Sequence, residues 1–222
     1  MTYQKIKVGR TARYYVLGEI TEKTKNVWVC FHGFGQLASF FKKKFEFMAN
    51  EETVVIVPEG LSRFYLDVMT GRVGASWITS DMKEEEVEDY LAYINSVFQT
   101  ATININLENV KLSVLGFSQG CTTAARWANQ IDKTVSNFII WAAFFNKGIE
   151  DVIDPEKLSQ SNNFYVYGSE DMYFKDHPEL IMQMYKNLTE NINAEVVIFE
   201  GEHRIEIAVL KDLIVKINSA NL

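Results

Sequence analysis

The sequence predicts an α/β fold, a mostly parallel central sheet covered by helices on both faces, and three observations carry that expectation. Short, largely apolar runs such as NVWVCF, TVVIV and VSNFIIWA suit strands buried on both sides. They alternate along the chain with longer segments of helical period, the order that gives parallel strands and crossover helices. At one junction, Gly116-Phe117-Ser118-Gln119-Gly120, a strand pattern passes into a helix pattern through a serine flanked by two glycines.

In chain order, residues 3–8 and 13–18 alternate around a Gly9-Arg10 turn and predict an N-terminal antiparallel hairpin at a sheet edge. A strand over 26–31 ends in His32-Gly33-Phe34-Gly35, and Leu37, Phe40, Phe41, Phe45 and Met48 then predict a helix over 36–49. Residues 53–57 give the next strand. The aromatic, glycine-containing stretch 61–79 lacks a clear period and predicts a long surface loop near the site.

Asp81 with Glu84 resembles a capping box opening a helix over 81–99, whose stripe runs through Val87, Tyr90, Leu91, Ile94, Val97 and Phe98. A strand over 111–115 meets the serine turn, and 122–130 continues as a helix. Strands over 135–142, 163–167 and 194–199 and helices over 176–191 and 205–217 complete the pattern.

The chain of 222 residues, 47% of them apolar, is expected to form one domain over 1–222 that buries roughly 70% of its unfolded surface. A net charge of −7 argues against nucleic acid as a partner. The N-terminal stretch lacks the apolar core of a secretory signal and no run is long enough to span a bilayer, so a cytoplasmic protein without stable membrane insertion is expected. Cys30 and Cys121 stand outside any Cys/His cluster, which predicts two buried thiols and no metal. Composition leaves a homodimer open.

Ser118 in G-x-S-x-G, after a strand and before a helix, is placed as a nucleophile, because Gly116 and Gly120 let the helix pass close to the strand and push the hydroxyl outward. The Gln119 N–H then lies at a helix N-terminus, where a developing oxyanion is favoured. Of three histidines, His32 braces a glycine turn, His177 starts a helix, and His203 alone follows the last strand in a loop. The acid is Asp171 or its neighbour Glu170, both past Gly168. Nucleophile, acid and base thus follow in the chain order of an α/β-hydrolase, all beyond the carboxyl ends of strands.

Two readings compete at the turn after the first long strand. The Phe34 N–H pairs with that of Gln119 as an oxyanion hole, or Gly33-x-Gly35-x-x-Ala38 is a dinucleotide fingerprint with Glu59 as the ribose acid. The second leaves Ser118, Asp171 and His203 without a role. A hydrolase-fold protein that binds without turnover is the remaining alternative, and its usual mark is a missing triad member. Leu61, Phe64, Trp77 and Met172, in loops flanking the site, are expected either to line an apolar substrate pocket or to pack those loops onto the body.

HGFG, GFSQG, GASW, YGSED and GEH together resemble the carboxylesterase/phospholipase branch of the α/β-hydrolases, which includes the acyl-protein thioesterases, from about Trp28 to the C-terminus. The resemblance implies Ser118 as nucleophile, Asp171 rather than Glu170 as orienting acid, His203 as base, and the Phe34 and Gln119 N–H groups as oxyanion donors. It further implies hydrolysis of small-molecule carboxylic or thiol esters with no cofactor. The chain departs from the family at Cys121, where a glycine is usual, and at Asp171-Met172-Tyr173-Phe174, where Asp-Pro, an apolar residue and a second proline are usual.

Overall fold

The computed structural model describes residues 3–219. Its main sheet has seven strands: β1 (Tyr14–Leu17), β2 (Asn26–Phe31), β3 (Thr53–Pro58), β6 (Lys111–Phe117), β7 (Val135–Trp141), β8 (Asn162–Gly168) and β9 (Glu195–Phe199). Between β3 and β6 in the chain lie β4 (Ser62–Asp67) and β5 (Arg72–Ser76), a separate two-stranded sheet. The order across the main sheet is β1-β3-β2-β6-β7-β8-β9. Every pairing from β3 to β9 is parallel, and β1 alone runs antiparallel, against β3.

Alternation within the strands feeds two cores. Val27, Val29 and Phe31 of β2 pack on one face with α2 (Lys83–Thr102), α3 (Gln119–Gln130) and α4 (Pro178–Ile192). Trp28 and Cys30 turn to the other face, covered by α1 (Ala38–Phe41) and α5 (Ile207–Ser219). With both faces covered, nearly every residue of a central strand is buried whichever way it points, which is why these strands read as largely apolar runs with little alternation.

Four local expectations are corrected. Residues 3–8 form no strand, so the predicted N-terminal hairpin is absent; β1 takes β3 as its partner, and the antiparallel hairpin of the chain is β4–β5. That hairpin occupies the stretch expected as loop. Its tip is built by Asp67, which accepts from the Met69 N–H at 2.9 Å and the Thr70 hydroxyl at 2.7 Å, and by Gly71 at φ +69°. The helix expected over 36–49 is one short α-turn followed by two 3₁₀ turns, which still bury Phe41, Phe45 and Met48. α2 has no capping box at Asp81: Met82 is left-handed, and Glu86 instead accepts from the Thr79 N–H and hydroxyl.

Candidate active site

β6, β8 and β9 all point their carboxyl ends to one edge of the sheet, and each is followed by one of the residues singled out above. Ser118 sits between β6 and α3 at φ +52° and ψ −122°, a conformation that costs a non-glycine residue about 1–3 kcal/mol. The turn is fixed on both sides. The Ser118 N–H donates to the Trp141 carbonyl at 2.9 Å, and the Ser118 carbonyl accepts from the Cys121 N–H at 3.0 Å. A Cβ at Gly116 would lie 2.4 Å from the Cys121 Cα, and one at Gly120 2.4 Å from the Phe31 carbonyl oxygen, so neither position admits a side chain.

Asp171 follows β8 and is fully buried. One carboxylate oxygen accepts from the Tyr173 N–H at 3.0 Å; the other lies 2.7 Å from His203 Nδ1. The loops that carry the two residues are stitched backbone to backbone. The Ser169 N–H donates to the Phe199 carbonyl and the Glu170 N–H to the Gly201 carbonyl, each at 2.8 Å, and a Cβ on Gly168 would lie 2.2 Å from the Gly201 oxygen. Glu170 itself is exposed, so the structure brings Asp171 and not Glu170 to the histidine.

The His203 ring lies between Phe117, with centroids 5.0 Å apart, and the edge of Tyr173 at 4.8 Å. Its loop is tied down by the Trp141 indole N–H, which donates to the Arg204 carbonyl at 2.9 Å. With Nδ1 on the carboxylate, Nε2 is the nitrogen left for proton transfer. Ser118 and His203 line one cavity of about 300 Å³, whose remaining wall is mostly apolar: Ala142, Ala143, Phe144, Tyr173, Phe174 and Leu180, with Thr122 and Gln119. Ala142 is also left-handed, at φ +52°, where the chain leaves β7.

The Phe34 N–H and the Gln119 N–H find no acceptor among the described residues. The turn bearing Phe34 is held from below by His32. The buried His32 accepts from the Gly60 N–H at Nε2, 2.9 Å, and its Nδ1 lies 2.8 Å from the Gly33 carbonyl, so the ring is a neutral tautomer with its proton on Nδ1. Burial pulls its pKa down to about 4, with the Gly33 hydrogen bond and the Glu59 charge offsetting part of the shift.

The four residues expected at a substrate pocket are not among those lining this cavity. Trp77 is only 2% exposed; its ring packs on His32 and its indole N–H donates to the His32 carbonyl at 2.8 Å, so it supports the glycine turn from inside. Leu61 packs against the core, Phe64 stacks on Phe34 with ring centroids 5.1 Å apart, and Met172 is 67% exposed. Aromatic richness near a site does not tell which side of the backbone a ring takes. Tyr173 and Phe174, in the same loop and expected on the same aromatic grounds, do line the cavity, and the Tyr173 N–H also reaches the Asp171 carboxylate.

Other candidates have structural occupations. Glu59, the acid of the dinucleotide reading, is buried and accepts from the Ala38 N–H at 3.0 Å and Arg13 Nε at 2.7 Å. His177 is exposed beside Glu179 at the start of α4. Cys30 and Cys121 are free and buried, as expected, and burial pushes both thiols up, away from the nucleophilic thiolate. No group of three or more His, Cys, Asp or Glu able to hold a metal occurs among the described residues.

A family model described as Serine hydrolase (FSH1) matches residues 21–206, a span that holds Ser118, Asp171 and His203. Among solved structures, acyl-protein thioesterase 2 from Zea mays is similar with a TM-score of 0.70 at 15% identity, over 94% of this chain and 99% of that one. A carboxylesterase from Bacillus cereus is similar with a TM-score of 0.61 at 16% identity, over 94% of each chain. At such identities the likeness is one of fold. No match was found among curated proteins.

Proposed function

The chain belongs to the FSH1 serine hydrolase family, and on that premise we propose that Ser118, His203 and Asp171 are its nucleophile, base and orienting acid in the hydrolysis of carboxylic or thiol esters. The observation that carries this reading is the 2.7 Å contact between His203 Nδ1 and the buried Asp171 carboxylate, in a loop pair that shares a cavity with the strained Ser118. His203 Nε2 takes the Ser118 proton as Oγ attacks the carbonyl carbon. The carbonyl π electrons move to oxygen, and the oxyanion is received by the Phe34 and Gln119 N–H groups. Collapse expels the alcohol or thiol, which takes the proton from His203, and leaves the acyl-enzyme. Water, deprotonated by the same nitrogen, then repeats the sequence and releases the acid.

Among the described residues, no Asp, Glu, Lys or Arg lines the cavity, and its apolar wall fits an uncharged aliphatic acyl group. We read the enzyme as carboxylesterase- or lysophospholipase-like, and as a single cytoplasmic domain, in keeping with its two free buried cysteines. No helix among the described residues is long and apolar enough to cross a membrane.

The test pairs a fluorophosphonate probe with p-nitrophenyl esters of two to twelve acyl carbons, on the wild type and Ser118→Ala. Labelling and turnover that vanish together in the variant support the proposal. A wild type that neither labels nor turns over any ester overturns it in favour of a ligand-binding protein on the same fold.

A further inference from the structure

Both proposed oxyanion donors are held by one short segment, residues 75–78 at the end of β5. On the Phe34 side, the Gly35 N–H donates to the Ala75 carbonyl at 2.9 Å and the Ala75 N–H to the Gln36 carbonyl at 3.3 Å, so the chain just past the donor residue is held by the strand. Gly74 allows this approach, since a Cβ there would lie 2.4 Å from the Gly35 oxygen. The Trp77 indole fixes the same turn on the other side of Phe34, at the His32 carbonyl.

On the other side, both ends of the Gln119 carboxamide are used. Its oxygen accepts from the Trp77 N–H at 3.1 Å, and its nitrogen donates to the Ile78 carbonyl at 3.0 Å and the Ser76 hydroxyl at 3.1 Å. The Ser76 hydroxyl, buried, in turn donates to the Ile78 carbonyl at 2.9 Å. These bonds run from the first residue of α3 to a different element, and starting the helix requires none of them.

We infer that the Gln119 side chain is a positioning residue for the oxyanion hole: it locks its own N–H to the segment that also locks the Phe34 N–H, and so fixes the spacing of the two donors. This rests on the serine hydrolase mechanism above. Donors set for the oxyanion rather than for the planar carbonyl lower the barrier only if they do not follow the substrate oxygen as it moves. A carboxamide that meets one donor and two acceptors on a β-strand end supplies that rigidity.

The test uses the whole protein as Gln119→Ala and as Gln119→Met, which keeps the length of the side chain without its polar ends. Steady-state kinetics on a p-nitrophenyl ester are read beside inhibition by an alkyl trifluoromethyl ketone, whose adduct with Ser118 places an oxyanion between the donors. In both variants kcat should fall about 10- to 100-fold with KM within about twofold, and the ketone Ki should rise by the factor lost in kcat/KM. Ser76→Ala should lose less, and should cost little more on top of Gln119→Met, because the two residues act as one unit. A folded variant with wild-type kcat, or a kcat loss with unchanged ketone Ki, overturns the inference. So does loss of cooperative melting in both Gln119 variants, which would make the side chain a determinant of the fold. A wild type inert to ester and ketone alike instead takes down the hydrolase mechanism itself.

Discussion

His32 and His203 stand at the same end of the sheet, one just past β2 and the other just past β9, and the protein treats them in opposite ways. His32 is closed in by main chain, with one nitrogen on the Gly60 N–H, the other on the Gly33 carbonyl, and the Trp77 ring over its face. Its partners are satisfied only by a neutral ring. His203 has one nitrogen on a carboxylate and keeps 18% of its side chain exposed toward a cavity shared with a serine. The same imidazole is a brace where both nitrogens are occupied by peptide groups, and in the proposed mechanism a proton carrier where one is left over. Partner geometry decides the role, and residue type does not.

The contrast is broken most directly by removing the second histidine. We expect His203→Ala to lower kcat/KM by at least about a thousandfold, and Asp171→Asn by about a hundredfold or more, with cooperative melting retained in both. Ester kinetics beside thermal unfolding decide it, and a His203→Ala variant within tenfold of wild type would void the assignment.

The first histidine should announce itself through stability instead. Its folded pKa lies near 4, below the 6.5 of an unstructured histidine, so between those values the unfolded chain binds a proton that the native protein refuses. Unfolding free energy should therefore fall as pH drops from about 6.5 to 4, by about 3 kcal/mol from this group. Urea midpoints across that range test the sign. His32→Leu removes the titration and should abolish that share of the acid loss, while leaving the Gly60 N–H without an acceptor at a cost of about 1–3 kcal/mol at neutral pH. An identical acid limb in wild type and variant would show that His32 binds its proton as readily in the native protein as in the unfolded chain.

The same division marks what the amino-acid order discloses. β2 and β6 are legible because burial on both faces leaves a largely apolar run, Ser118 because glycines stand two residues to either side of it, and Asp171 and His203 because each stands beside a charged residue just past a strand. The β4–β5 hairpin is illegible for the opposite reason. Most of its side chains are half-buried or exposed, and its tip is closed by Asp67 and Gly71 without a two-residue turn dipeptide. The cavity wall is hidden too: Ala142, Ala143, Phe144 and Leu180 belong to no motif and meet only because β7 ends and α4 begins beside the site. The Tyr3–Val8 arm shows the converse error. Alternation there suggests a strand, but β3 already has β1 on its free edge.

The seam between the acid and base loops hangs on the outermost strand. β9 has a single neighbour in the sheet, and Ile198 within it is largely exposed, so this margin opens at a lower free energy than the centre. An opening there would separate His203 from Asp171 while leaving β6, α3 and the serine elbow intact. On warming, turnover should then cease some degrees below the midpoint of far-ultraviolet ellipticity, and on cooling it should return as quickly as a strand re-pairs. The working lifetime of the catalyst would be set by the fraying of one margin rather than by the melting of the whole.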